Sequence, residues 1–141
     1  MSRSSFYNSE GYPDLTAYMA TRHLNHPLLA LTDKPVVYIC SPYSGDIKTN
    51  VRLARSFSAV AVAKSAVPIA PHLVFPQFMD DEDPLDRELA MQMNHILLSR
   101  CDEIWVYQPR VSAGMKQEIT WAREASLPVR FFDIDFTEVT R

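Results

Sequence analysis

The sequence has little glycine and cysteine and no long apolar run. Only three of its 141 residues are glycine and two are cysteine, so the position of each is informative. No apolar stretch approaches the roughly 20 residues that span a bilayer, and the first ten residues are too polar for a secretory signal. Two cysteines without a histidine cluster do not make a zinc site. We therefore expect no transmembrane helix, no secretory signal and no zinc module.

The charged residues also lack the clustering that marks a nucleic-acid-binding surface. The net charge is −3, and the basic residues are scattered along the chain. An apolar fraction of 47% and a charged fraction of 22% are ordinary for a soluble globular protein. The length suits one domain with a real core. We expect a cytoplasmic protein that binds neither nucleic acid nor membrane.

Short apolar segments alternate with helical patterns along most of the chain. Four strands are predicted, at 35–40, 67–70, 104–107 and 128–134. Three helices are predicted, at 47–64 after a cap at Asp46, at 84–100, and after a cap at Ser112. This alternation implies right-handed βαβ units. The expected fold class is α/β, with a Rossmann-like or flavodoxin-like parallel sheet in the order 2-1-3-4 and helices on both faces.

Residues 1–34 are predicted to form an N-terminal extension, and 35–141 a single α/β domain. The extension contains a short helical pattern at 13–20, followed by His23 and His26. Pro27 and the lack of a third ligand favour a surface or packing role for this pair over a metal site. The acidic run 80–83 is interpreted as a favourable start for the next helix. No metal and no cofactor are expected.

The two cysteines are predicted to be free. Cys40 lies near the end of one strand, and Cys101 lies just before the start of a parallel neighbour. Those points are at opposite edges of a parallel sheet, too far apart for a disulfide. Free buried thiols are typical of a reducing compartment.

One strand–loop–helix junction, residues 102–118, organises the predicted fold. Ser112 caps its helix, Gly114 lies in the first turn, and Glu118 lies about one turn further on. The start of such a helix presents free N–H groups, and its dipole favours an anion. Glu118 is either a solvated helix residue or a reactive group that faces the crevice, and the pattern alone leaves both interpretations open.

The glycines indicate where a ligand would bind. Ligands of open α/β sheets bind at the carboxyl ends of the strands beside the switch point, here between the first and third strands. Gly45 and Gly114 fall in the two loops that flank this crevice. Glycine lets a backbone approach a ligand closely, although turn chemistry alone also accounts for both. Because both glycines flank the same crevice, the sequence favours a protein that binds a small molecule over one with a purely structural role.

Three short motifs resemble those of the nucleoside 2-deoxyribosyltransferase family. Residues 38–45 resemble the family's first-strand loop. Residues 101–107, followed by Ser112, Gly114 and Glu118, resemble its third strand and catalytic helix. The resemblance covers roughly residues 36–132. It is strongest to small bacterial and phage proteins of this type and extends to the deoxynucleoside 5′-monophosphate N-hydrolases.

The resemblance implies cleavage of the N-glycosidic bond of a deoxynucleoside or its monophosphate by a retaining mechanism. Glu118 falls at the position of the nucleophile, and Tyr43 falls in the loop that borders the sugar. Ser112 falls where the N-hydrolases carry a phosphate-binding serine, which favours a 5′-monophosphate substrate. Further binding residues are expected in the same loops and after the second strand: Ser41, Ser44, Gly45, His72 and Gly114. For His72, a loop histidine bonded to backbone is an equal alternative.

One departure from the family pattern concerns Asn94. The family carries an aspartate eight residues before the one that opens the third strand, here Asp102, and that position holds Asn94. An asparagine hydrogen-bonds a sugar hydroxyl but cannot act as an acid or base. Three hypotheses follow: an N-glycosidase acting on a nucleotide, an inactive nucleotide-binding or sensor module, or a structural protein without ligand.

A homodimer or higher homo-oligomer is also expected. Large apolar side chains are predicted at the surface of the last helix and of the long loop after the second strand: Trp121, Phe75, Phe78 and Met79. In the resembling family a neighbouring subunit completes the site.

Overall fold

A computed structural model describes residues 34–140 of the chain. The predicted helix at 13–20 and the pair His23 and His26 lie outside the described residues.

The core of the protein is a five-stranded, mostly parallel sheet. Its strands are β1 (Val36–Cys40), β2 (Val67–Ile69), β3 (Glu103–Tyr107), β4 (Val129–Phe132) and β5 (Glu138–Val139). The order across the sheet is β2-β1-β3-β4-β5, and the first three neighbouring pairs are parallel. The predicted α/β class and the order 2-1-3-4 are confirmed.

The fifth strand, β5, lies beyond the four strands whose positions the sequence predicts. β5 pairs antiparallel with β4. A tight turn precedes it, in which Phe136 has a φ of 57° and Asp133 N–H bonds Thr137 O at 2.9 Å. Arg130 then forms an ion pair with Glu138 at 2.7 Å. A strand of two residues is too short to show period-two alternation in the sequence. In the structure, this turn and this ion pair hold β5 beside β4.

Three helices connect the parallel strands, and their starts agree with the predicted caps. They are α1 (Ile47–Ala63), α2 (Pro84–Ser99) and α3 (Ala113–Glu124). Asp46 accepts from Thr49 N at 3.2 Å, and Ser112 accepts from Met115 N at 3.2 Å. Asp83, inside the acidic run, caps α2 by accepting from Leu85 N at 2.9 Å. The loop between β2 and α2 contains two short 3₁₀ turns, Pro71–Leu73 and Phe75–Gln77.

Side chains that alternate along each strand divide the core into two layers. Tyr38 and Cys40 of β1 point to one face, in a cluster with residues of α2 and α3 such as Leu98. Val37 and Ile39 point to the other face, in a cluster with residues of α1. Both layers exclude water, so the central strand β1 is apolar on both sides.

The prediction for the two cysteines is confirmed. Both cysteines are free and buried. Asp102 accepts a hydrogen bond from Val36 N at 2.8 Å and so ties the start of β3 to the start of β1. Among the described helices, none is both long and apolar enough to cross a membrane.

The predicted surface patch is largely absent. Of its four residues, only Phe78 is exposed. Phe75 and Met79 are half-buried, and half-buried Trp121 stacks on His95 at 4.1 Å.

Candidate active site

A cavity of about 480 Å³ opens at the carboxyl edge of the sheet. Three loops and two helix starts surround it. The loop after β1 contributes Ser41, Tyr43 and Ser44; the loop after β2 contributes Pro71, His72, Phe75, Pro76 and Met79. α2 and the turn before it contribute Asp80, Asp81, Asp86, Arg87, Ala90, Met91 and Asn94; the start of α3 contributes Ser112, Ala113, Gly114, Met115 and Glu118. This is the switch-point crevice that the strand order predicts.

Glu118 belongs to the inner face of α3. Met115, Glu118, Ile119 and Ala122 are the buried residues of this helix, and their spacing places them on one stripe. The stripe packs on the sheet, so Glu118 is only 3% exposed. Of the two interpretations left open by the sequence, the solvated helix residue is therefore wrong.

The carboxylate of Glu118 is held by two side chains of β1. The hydroxyl of Tyr38 donates to Oε2, and the thiol of Cys40 lies 3.5 Å from Oε1. Tyr43, which the resemblance places in the loop that borders the sugar and the carboxylate, lines the same cavity. The hydrogen bonds of Glu118 go instead to Tyr38 and Cys40. Because side chains alternate on β1, Tyr38 and Cys40 both face α3.

Burial changes the acidity of this cluster. Loss of water around the carboxylate raises the pKa of Glu118 to about 7, although the hydrogen bonds from Tyr38 and Cys40 act in the opposite direction. Burial, and then the nearby charge of Glu118, raise the pKa of Tyr38 and that of the Cys40 thiol. Both partners therefore keep their protons and remain donors, while Glu118 exchanges its proton near neutral pH.

Two other buried polar atoms in the lining have no partner among residues 34–140. They are the hydroxyl oxygen of Ser41 and Oδ1 of Asn94, on residues that are 0% and 5% exposed. An unpaired buried polar atom costs about 1–3 kcal/mol. The amide nitrogen of Asn94 donates a weak hydrogen bond to the sulfur of Met91 at 4.0 Å. A ligand in the cavity would satisfy both atoms.

Tyr43 and His72 form an aromatic wall of the cavity. Their rings stack with centroids 5.0 Å apart and planes 26° from parallel. Nε2 of His72 lies 3.0 Å from the carbonyl oxygen of Ser41, so this nitrogen carries the hydrogen. Burial lowers the pKa of His72. The imidazole is thus neutral at pH 7. It bonds to backbone, as one of the two alternatives expected, and it also lines the cavity, while its role in ligand binding stays a prediction.

A buried asparagine fixes the loop after β1. The amide nitrogen of Asn50 donates to the carbonyl oxygens of Tyr43 at 2.8 Å and Ser44 at 3.0 Å. Its own oxygen accepts from the guanidinium of Arg110, in the loop after β3. Asn50 therefore links the two loops on either side of the crevice.

The two predicted glycines differ in position. Gly114 lines the cavity in the first turn of α3. Gly45 is not among the lining residues; its φ of 94° explains the glycine, because other residues rarely adopt that conformation.

An acidic wall, defined as Asp80, Asp81 and Asp86, closes the side of the cavity next to α2. Asp86 accepts from Asp80 N at 2.9 Å. Arg87 donates to the carbonyl oxygen of Asp81 through Nε at 3.0 Å and Nη2 at 2.8 Å. Within the described residues, no group of three or more His, Cys, Asp or Glu side chains is arranged to hold a metal.

Eight of the nine predicted site residues share the cavity. The exception is Gly45. The sequence reasoning missed Tyr38, Cys40, Asn50 and the acidic wall. Period-two alternation in β1 was a usable signal for Tyr38 and Cys40, because it places both on the face that α3 covers.

Fold and cavity together define an α/β protein with an ionisable carboxylate buried at the switch point of a parallel sheet. Residues 35–132 match the model of a family described as a domain of unknown function (DUF7768), and the chain belongs to that family. The matched range includes every lining residue of the cavity. No curated protein matches the chain.

Proposed function

We propose that the protein is an N-glycosidase or deoxyribosyltransferase that acts on a (deoxy)nucleoside 5′-monophosphate through Glu118. One observation carries the proposal: a buried carboxylate, oriented by Tyr38, faces a cavity large enough for a small molecule. The resemblance to the nucleoside 2-deoxyribosyltransferases supports it, because the nucleophile of that family falls at the same position. The burial and perturbed pKa of Glu118 are also typical of a functional carboxylate.

In the proposed reaction, an ionised oxygen of Glu118 attacks the anomeric carbon of the sugar. The bond from that carbon to the base breaks, its electron pair stays on the base nitrogen, which takes up a proton from solvent, and a glycosyl ester forms. Water or a second base then attacks the same carbon from the opposite face, which releases Glu118 and retains the original configuration. The transition state resembles an oxocarbenium ion, so the carboxylate also stabilises its positive charge.

Tyr38 has a positioning role in this mechanism. Its hydroxyl binds Oε2 of Glu118. Oε1 accepts the longer and weaker hydrogen bond, from the Cys40 thiol at 3.5 Å, so it is the oxygen that attacks. The same hydrogen bond favours the ionised carboxylate over the neutral acid, which a nucleophile requires.

The remaining lining residues fit the parts of a nucleotide. Oδ1 of Asn94 and the hydroxyl of Ser41 are unpaired and would bond sugar hydroxyls. The start of α3, with neutral Ser112 as its cap, offers N–H groups and a favourable dipole to a 5′-phosphate. Tyr43 and His72 offer a flat surface to a base or sugar.

A second candidate is a nucleotide-binding or sensor module without catalytic activity. Asn94 favours it, because an amide cannot transfer the proton that a carboxyl at this position would. In this case Glu118 would serve only as a hydrogen-bond partner for the ligand.

Chromatography of reactions with a panel of deoxynucleoside 5′-monophosphates distinguishes the two candidates. The enzyme hypothesis expects free base from the wild type and a loss of several orders of magnitude in Glu118→Gln, with ligand binding retained. Adding a second base separates transfer from hydrolysis. Glu124→Gln, an exposed glutamate on the same helix, is the matched control. Base release that is equally fast in Glu118→Gln would remove Glu118 from the mechanism, and binding without cleavage would favour the sensor.

We propose that the protein works as a homo-oligomer in the cytoplasm. Phe78, Leu85 and Ile96 are exposed by 69%, 64% and 55%, which is apolar surface that a second copy could cover. Free buried thiols fit a reducing compartment. Sedimentation that shows only monomer at micromolar concentration would contradict the oligomer.

A further inference from the structure

We propose that the base of the substrate carries a positive charge, as a pyridinium or an N-alkylated purine does, and that the acidic wall selects it. This inference rests on the proposed function, because it concerns the leaving group of that reaction.

The charges around the cavity favour a cation on the side next to α2. The acidic wall and Glu118 place four carboxylates in the lining, while Arg87 is the one lysine or arginine that residues 34–140 contribute to it. The guanidinium of Arg87 donates to the backbone of Asp81. Among residues 34–140, no hydrogen-bond donor contacts the carboxylate of Asp81 itself. Because Asp81 is half-buried, its charge is less screened than that of a surface residue.

The side of the cavity next to α2 has the shape to bind the flat ring of a base. The stacked rings of Tyr43 and His72 line the cavity together with Asp81. The charge of Asp81 acts on both rings. Burial, and then the charge of Asp81, raise the pKa of Tyr43. Burial lowers the pKa of His72, and the charge of Asp81 opposes part of that decrease. Aromatic faces beside a carboxylate bind flat cations through cation–π and charge attraction.

The unpaired atoms place the sugar of the ligand next to this subsite. Ser41 and Asn94 are at least nine-tenths buried, line the same cavity, and lack partners within residues 34–140. They lie on the loop after β1 and on α2. A nucleotide that satisfied both would direct its phosphate to Ser112 and its base to Asp81.

The buried part of the cavity also lacks a suitable acid for a neutral leaving base. A neutral base must be protonated as it leaves. Asn94 cannot supply a proton, and the Nε2 hydrogen of His72 is bonded to Ser41. The carboxylates of the acidic wall lie outside this buried part: Asp81 and Asp86 are half-buried, and Asp80 is exposed. A base that is already cationic needs no proton.

The chemistry balances for such a substrate. As an oxygen of Glu118 bonds to the anomeric carbon, the C–N electron pair moves to the ring nitrogen and cancels its positive charge. The base departs neutral. Water then attacks the anomeric carbon, Glu118 leaves as the carboxylate, and one proton passes to solvent. The products are the free sugar phosphate, the neutral base and a proton.

Calorimetry with pairs of nucleotides that differ mainly in charge tests the inference. The pairs are nicotinamide mononucleotide with its reduced form, and N7-methylated with unmethylated deoxyguanosine 5′-monophosphate. Binding is measured on Glu118→Gln, so that cleavage does not interfere. We expect the cationic member to bind about tenfold more tightly, and wild-type protein to release its base with a kcat/KM at least tenfold higher after subtraction of the spontaneous rate.

Asp81→Asn and Glu82→Gln provide the matched comparison. In Asp81→Asn, the affinities for the cationic and the neutral nucleotide should differ by less than about threefold. Glu82→Gln should keep the full preference, since Glu82 is exposed and outside the lining. Equal binding of both members, or an unchanged preference in Asp81→Asn, would overturn the inference. A charge preference without any base release would support it and overturn the proposed reaction instead. Equal cleavage of both members would overturn the inference and support the proposed reaction.

Discussion

Glu118 should make the stability of this fold depend on pH. Burial raises its pKa from 4.5 to about 7, so the folded protein binds this proton more tightly than the unfolded chain does. The stabilising effect of the bound proton is complete below about pH 4.5. It is lost as the pH rises through about 7, because the folded state must then hold a buried charge. A difference of this size corresponds to about 3 kcal/mol in the free energy of unfolding.

Glu118→Gln removes this ionisation and keeps nearly the same shape. Relative to the wild type, the variant should therefore gain stability with rising pH, by up to about 3 kcal/mol between about pH 4.5 and about pH 8.5. Urea denaturation at several pH values measures the difference. Glu124→Gln, at an exposed position of the same helix, should give a difference that does not follow this curve.

Two results would refute the reasoning. If the free energies of unfolding of wild type and variant differ by the same amount from about pH 4.5 to about pH 8.5, Glu118 does not change its charge in that range. A difference with the opposite slope would mean that its hydrogen bonds outweigh its burial, so that the folded-state pKa is depressed rather than raised.

Three further variants test individual contacts. Tyr38→Phe removes a donor that lowers the pKa of Glu118, so the acid limb of the kcat/KM profile should move to higher pH; an unmoved limb would contradict this. Asn50→Ala leaves two loop carbonyls without their donor, so it should cost about 1–3 kcal/mol in urea denaturation and raise KM more than it lowers kcat. Ser112→Ala should cost about 1 kcal/mol as a lost cap and should weaken binding of a nucleoside monophosphate more than of the nucleoside; equal weakening by calorimetry would argue against a phosphate at α3.

The sequence by itself determined the elements and their order. Apolar runs, helical spacing and caps are local features, and they gave the parallel strands, the three helices and the starts at Asp46 and Ser112. The right-handed crossover rule then led from this alternation to the strand order and the crevice. Glu118 could also be placed near the crevice, because it lies one turn beyond the start of α3.

Only the tertiary structure decided what surrounds Glu118. Tyr38 and Glu118 are 80 positions apart, and whether they touch depends on the rotation of α3 against β1, which no local pattern specifies. The same is true of Asn50 on α1, which reaches two carbonyls of the preceding loop and an arginine 60 positions away. It is also true of the acidic wall, since a charged run near a helix start looks identical in sequence whether it faces solvent or a cavity. Secondary structure follows from interactions between near neighbours, but a site forms where packing brings distant segments together.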